Sequence, residues 1–304
     1  MVEVSVRNVR LSYGKIQALK DVSLEVEEGS LFGIIGPDGA GKTSLFRIMT
    51  TLIVPDSGSA QVCGYDTVKD MMEIRRLVGY MPGHFSLYQD LTVEENLSLF
   101  ASVFNTTVQE NYSLVEDIYR QIEPFRKRRA GKLSGGMKQK LALCCAMIHR
   151  PRVLFLDEPT TGVDPVSRKE FWQMLSRLKA QGMTIIVSSP YMDEASLCDT
   201  MSLMKDGRFF KTDTPGAITE KFGKHLYEIK AVGSTVKALD GLAAIDGVQA
   251  CYPFGDRLHI VSPSLSLAEL SERAASAGYD ISTLAECTPT VEDCFMDFDN
   301  NDYE

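Results

Sequence analysis

The octapeptide GPDGAGKT, Gly36 to Thr43, limits what this chain can fold into more than any other stretch. It fits G-x-x-x-x-G-K-[ST], follows the apolar run SLFGII and opens TSLFRIMTTLIVP, whose apolar spacing is helical until Pro55 stops it. A strand that turns through glycines into a helix N-terminus directs several backbone N–H groups at one small volume, which suits an anion. Gly36, Gly39 and Gly41 allow that tight loop, Pro37, Asp38 and Ala40 complete it, and Ser44 follows inside the helix. Lys42 is placed to neutralise β- and γ-phosphate oxygens, and the Thr43 hydroxyl to ligate Mg²⁺. A chance glycine-rich turn is the bland alternative, and the strand before and helix after it argue against that. The segment predicts a nucleotide site.

A second half of such a site lies at VLFLDEP, Val153 to Pro159. Four apolar residues predict a buried strand that ends in two adjacent carboxylates. Asp157 is the candidate for the Mg²⁺ shell, and Glu158 for orienting and deprotonating water. Alone, the pair could equally cap a helix before Pro159. A third device, Leu133-Ser134-Gly135-Gly136, precedes the helical run KQKLALCCAMIHRP. A serine hydroxyl, glycine N–H groups and a helix N-terminus suit a γ-phosphate, although they would also serve as a plain N-cap. The phosphates beside Lys42 are already enclosed by their own loop. Two chains packed head to tail would instead trap two ATP molecules, each between one Lys42 loop and the other chain's Ser134 loop.

Around these motifs, strands alternate with helices. VEVSVRNVRLSY and ALKDVSLEVEEG read as strands, Met71 to Arg150 as mainly helical, and TIIVSS as a buried strand between helices at 165–181 and 191–198. The expected class is α/β with a mostly parallel sheet over residues 1–222, including a helical lobe at about 84–150. Residues 223–304 read as a separate α+β unit of βαββαβ type: LYEIKAV, a helix near 234–243, VQACYPF, RLHIVS, a helix from Ser266 to Ala277, and DISTLAE, with the acidic tail FDNNDYE frayed. The net charge of -9 argues against a general grip on nucleic acid, because phosphate neutralisation needs a basic surface. The basic run Arg126, Lys127, Arg128, Arg129 and Lys132 reads as a solvated loop or an electropositive patch. Seven cysteines with no CxxC pair predict free thiols and a cytoplasmic setting. No run of ~18 apolar residues occurs, so any membrane role is expected to come through a partner.

In order and spacing, GPDGAGKT, LSGGMKQK, VLFLDEP and TTGVDP resemble the ATP-binding subunit of ABC transporters over about residues 2–220. That resemblance implies a P-loop NTPase core of ABC type with a helical signature lobe, working as a two-ATP sandwich with an identical or different second ATP-binding subunit. It implies an integral-membrane permease partner, placing the chain on the inner face of the membrane. It also implies that Tyr13, in LSYG, stacks on adenine and that Asp164 acts across the dimer. PYMDEASLCD and TPTVEDCFMDF resemble the exporter subfamily that moves drugs, polysaccharides or ions through a separate permease. The stretch Leu87 to Phe104 is where such subunits dock a permease helix, and part of it must also serve as core.

Three positions depart from the family. Gly83 stands where a glutamine is usual, Pro190 where a histidine contacts the γ-phosphate, and Asp38 where asparagine is commoner. A proline has neither a side-chain donor nor a backbone N–H. His84 and Gln89 are candidate substitute donors, or ordinary loop residues. Losing one transition-state donor costs ~10²–10³ in rate in other enzymes, so slow or partner-dependent hydrolysis is expected. The competing expectations are a nucleotide-sensing module with little turnover and a non-transport ATPase acting on ribosomes or DNA. The latter usually carries two such domains or long basic insertions.

Overall fold

Strands Leu31–Ile35, Val153–Asp157 and Thr184–Ser189 are buried at every residue, as unbroken apolar runs are when a parallel sheet is covered on both faces. In the computed structural model, which describes residues 1–230 and 235–301, they form the centre of a six-stranded sheet. Its order is Arg208–Asp213, Thr200–Lys205, Leu31–Ile35, Thr184–Ser189, Val153–Asp157, Val78–Met81. All neighbours pair in parallel except the edge strand Arg208–Asp213. Val78–Met81 falls inside the stretch read as mainly helical. Four residues are too few to display a period, and its pairing with Val153–Leu156 is what makes it a strand.

A second, antiparallel sheet lies on one side, in the order Ile16–Glu27, Val2–Tyr13, Ser57–Val62, Tyr65–Asp66. Its inward residues, among them Val4, Val6, Leu19 and Val62, pack with Phe32, Ile34, Phe46 and Phe155. On the other side lies the helical lobe, with helices Val93–Val103, Val108–Tyr119 and Gly135–Met147. Thr92–Glu95 and Thr107–Glu110 form capping boxes at the first two, satisfying N–H groups that have no partner within the helix. Cys144 and Cys145 are buried free thiols in the same core as Leu97, Leu141, Leu156 and Trp172. The basic run lies in loop and short 3₁₀ structure, with Arg126 to Arg129 exposed.

The chain divides into two units between Thr214 and Pro215. The second is built on a fully antiparallel sheet in the order Ala250–Phe254, Arg257–Ser262, His225–Ile229, Ala285–Glu286. With helices Thr235–Ala243 and Leu267–Ser276 it has βαββαβ order, and Tyr227, Leu242, Leu258, Ile260 and Leu270 form its core. DISTLAE contributes only the two-residue strand Ala285–Glu286. Much of the segment read as a frayed tail is the end of a helix, Val291–Asn301, against which helix Pro215–Glu220 packs, with the Cys294 thiol donating to Ile218 O at 3.6 Å. That packing draws residues 215–222 into the second unit, eight residues ahead of the expected boundary at 222/223. Residues 231–232 of LYEIKAV and 302–304 of the tail lie outside the described residues.

Candidate functional site

The phosphate-type loop leaves the central sheet at the C-terminal end of Leu31–Ile35, the end where open parallel sheets place their ligands. The Gly36 N–H donates to Ser189 O at 3.1 Å on the neighbouring strand. A Cβ on Gly36 would lie 2.0 Å from Met204 O, so the position admits only glycine. Gly41 takes φ +107° at the N-cap of helix Lys42–Met49, and a Cβ there would lie 2.6 Å from Ala18 O. No side chain caps this helix, and its first turn holds no acid. Its leading N–H groups therefore keep their positive end for an anion. Lys42 is buried, with Nζ donating to Gly36 O at 2.7 Å and Pro37 O at 3.0 Å, and lying 3.1 Å from Glu158 Oε1. Asp38 is exposed. Tyr13 is half exposed, and its hydroxyl receives a long 3.4 Å hydrogen bond from Ser44 Oγ, which puts its ring beside the start of the loop helix.

The two acids at the end of Val153–Asp157 are held quite differently. Asp157 is buried and accepts the Ser188 hydroxyl at 2.6 Å. Burial, with this carboxylate nearby, pushes the Tyr80 phenol well above its usual range. Glu158 has a left-handed backbone, φ +50°, unusual for a side chain of its size. Its N–H donates to Ser188 O at 3.1 Å and Ser188 Oγ at 3.0 Å, so the neighbouring strand holds the strained turn that aims its carboxylate at Lys42. Thr43 Oγ1 has no hydrogen-bond partner among the described residues. Hydroxyl and carboxylate oxygens beside a phosphate loop are the hard donors Mg²⁺ takes, so Thr43 and Asp157 fit that ion. Gly83 stands beside this pair, and a Cβ there would be 3.2 Å from Asp157 O and 3.8 Å from Glu158 Cβ. His84 and Gln89 are exposed, and Gln89 O is taken by the Gly131 N–H at 2.9 Å.

Sequence reading missed Glu194. It is buried, accepts the Thr160 hydroxyl at 2.8 Å and the Ser189 hydroxyl, and pairs with Arg168 Nε at 3.1 Å. Ser189 Oγ in turn accepts Tyr191 N–H at 3.0 Å, and the Arg168 guanidinium lies 4.3 Å over the Tyr191 ring. The turn carrying Pro190 is thus pinned from both sides. Two adjacent acids in MDEA hint that one turns inward, but its partners lie up to 34 residues away.

The Ser134 corner belongs to another neighbourhood. Ser134 N-caps Gly135–Met147, accepting Met137 N–H at 3.4 Å. Gly135 faces Gly162 O, and a Cβ on Gly136 would come within 2.7 Å of Ser167 Oγ. Asp164 caps helix Pro165–Ala180 by accepting Ser167 N–H at 3.0 Å, and hydrogen bonds from Ser167 hold its carboxyl below the usual range. The fold therefore gathers Gly36–Ser44, Tyr13, Asp157 and Glu158 in one group, and Ser134, Gly135, Gly136 and Asp164 in another. Of the stretch Leu87–Phe104, Leu87, Val93, Leu97 and Ala101 are core. Phe100, which also packs against that core, lines a groove of about 740 Å³ together with Val103, Phe104, Leu52, Met72 and Tyr80. Among the described residues no helix is long and apolar enough to cross a membrane.

Residues 19–161 match the family described as ABC transporter. The chain is 44% identical over 205 residues to the Probable multidrug ABC transporter ATP-binding protein YbhF of Escherichia coli, covering 67% of this chain but 36% of that protein's length. It is 32% identical over 305 residues to the Doxorubicin resistance ATP-binding protein DrrA of Mycobacterium tuberculosis, covering 96% of this chain and 92% of DrrA. A solved ATP-binding cassette, dimeric and in a post-hydrolysis state with ADP and Pi, superimposes with a TM-score of 0.63 at 26% identity, covering 69% of this chain and 98% of that one.

Proposed function

Because the chain belongs to the ABC transporter ATP-binding proteins, we propose that it binds ATP with Mg²⁺ and hydrolyses it to drive an exporter. The observation that carries this is the 3.1 Å approach of Glu158 to Lys42, which brings the candidate base to the phosphate loop through a strained backbone. In this mechanism the loop N–H groups and Lys42 bind the β- and γ-phosphates, and Tyr13 lies against adenine. Thr43 and Asp157 hold the Mg²⁺ that offsets phosphate charge. Glu158 takes a proton from the attacking water, and Lys42 stabilises the charge that gathers on the γ-phosphoryl oxygens.

The packing of Gly135 and Gly136 on Gly162 and Ser167, and not on the Lys42 loop, supports a two-chain site, each chain's Ser134, Gly135 and Gly136 closing on the other's γ-phosphate, with Asp164 acting across the interface. ATP then closes the dimer, and hydrolysis resets it. The groove at Phe100 and Phe104 supports docking of a permease helix there, which would hold the chain at the inner membrane face. The printed names of YbhF and DrrA support export. Pro190 leaves the γ-phosphate without a side-chain donor and Gly83 leaves the site without the usual glutamine, so turnover is slow or depends on the partner subunit.

The test is Glu158→Gln with saturating MgATP, examined by sedimentation. A nucleotide-dependent dimer that Ser134→Ala weakens is expected. A strict monomer at high protein concentration overturns the sandwich. Dimerisation with no phosphate release from the wild type would favour a nucleotide sensor instead.

A further inference from the structure

In the second unit, three side chains of different chemistry converge on one sheet face. Glu228 and His259 are cross-strand partners on His225–Ile229 and Arg257–Ser262, and Cys287, whose N–H donates to Leu226 O, follows strand Ala285–Glu286. One potential ligand atom from each lies within 4.8 Å of the others. His259 is buried, 4% exposed, and its Nδ1 lies 2.6 Å from Asp293 Oδ1. Asp293 also accepts Tyr252 O–H at 2.9 Å, and Thr290 N–H and O–H at 2.7 Å each. A carboxylate so surrounded by donors is ionised. It therefore accepts a hydrogen bond from His259 Nδ1–H, which makes Nε2 the ring nitrogen available to a metal ion. No hydrogen bond engages Nε2 among the described residues, nor the Cys287 thiol.

From this arrangement we propose that Glu228, His259 and Cys287 form a site for a divalent transition-metal ion of borderline softness, Zn²⁺ above all. One imidazole nitrogen, one sulfur and one carboxylate oxygen are the donor set that ion takes in tetrahedral sites, with a fourth position open to water. The buried Asp293–His259 pair is the outer-shell contact that fixes the tautomer and ring orientation of a metal-bound histidine. Arg257 occupies Glu228 Oε1 and leaves Oε2 for the ion. Burial and the carboxylate of Glu228 push the Cys287 thiol up to about 12, so the thiol proton goes to solvent only as the sulfur–metal bond forms. Affinity therefore rises with pH. Because Asp293 also bonds Thr290 at the start of helix Val291–Asn301, the ion steadies that helix on the sheet.

The test is Co²⁺ titration of the metal-stripped full chain, followed by absorption, in wild type, Cys287→Ser and Glu228→Gln. About one Co²⁺ per chain is expected, with a sulfur-to-metal charge-transfer band, displaced by Zn²⁺, that Cys287→Ser abolishes. Glu228→Gln is expected to weaken binding by ~10-fold or more. Zn²⁺ should also protect Cys287, and none of the other thiols, from alkylation, a readout that needs no variant to fold. Substoichiometric cobalt, a band unchanged in Cys287→Ser, or alkylation of Cys287 at the same rate with Zn²⁺ overturns the site.

Discussion

Replacing Glu158 with glutamine removes one charge and almost nothing else, so its expected effects can be worked out from contacts already described. A positioned general base contributes ~10²–10⁴ in rate, which corresponds to about 3–5 kcal/mol of barrier. Phosphate release is expected to fall by that factor. Stability should hardly move. Breaking a buried ion pair costs about 3–5 kcal/mol when it orphans a charge. Lys42 Nζ, however, keeps the carbonyls of Gly36 and Pro37 at 2.7 and 3.0 Å, and a glutamine oxygen can replace the lost carboxylate. The net loss is therefore about 1 kcal/mol or less, a shift of ~2–4 °C in a domain of this size. The left-handed backbone at φ +50° strains glutamine as it strains glutamate, so no strain is released. The assay pairs phosphate release with fluorescent-nucleotide binding and thermal melting on the same samples. A rate within about two-fold of wild type would refute the assignment of the base. So would a rate that falls only in step with nucleotide affinity, because the group would then bind the ground state.

Pro190→His restores a donor at the turn after Thr184–Ser189, and turnover in the presence of the partner permease is expected to rise by ~10²; an unchanged rate shows that Pro190 does not limit the chemistry. Asp293 gives the second unit a pH dependence. Burial alone would raise its pKa, but hydrogen bonds from His259, Thr290 and Tyr252 hold it below the usual carboxylate range. A depressed folded pKa stabilises above the unfolded value of ~4, and that stability is lost as pH falls through the lower folded value. Melting of this unit between pH 6 and 3 should fall more steeply in wild type than in Asp293→Asn, and parallel curves would refute the coupling.

What was legible in the sequence is what the backbone demands locally. A glycine whose Cβ would meet a carbonyl, as at Gly36, or that must take φ +107°, as at Gly41, leaves its mark in the residue itself. The acids of VLFLDEP were legible because an apolar run must end where water or ligand begins. Less visible was anything decided by pairing across long separations. The first two strands read as strands, but nothing in them says that they form a sheet of their own with Ser57–Val62. VGYM became a strand only by lying beside Val153–Leu156. TPTVEDCFMDF reads only as a resemblance, and nothing in it says that Asp293 is buried beneath donors from three residues or that Asp297 grips Lys224 at 2.6 Å. Buried charge of that kind betrays itself only once its partners are in place.

One shared carboxylate makes a mechanical joint of two turns that the chain order keeps apart. Thr160 cannot drift away from Ser189 without stripping Glu194 of a ligand it has no water to replace. A tug on the front of helix Pro165–Ala180, delivered through Arg168, is thus passed to Ser189 and on through its carbonyl to the amide of Gly36. A pull at the rim would reach the loop that opens at Gly36 along this route, and with it Glu158, whose amide hangs on the adjacent Ser188.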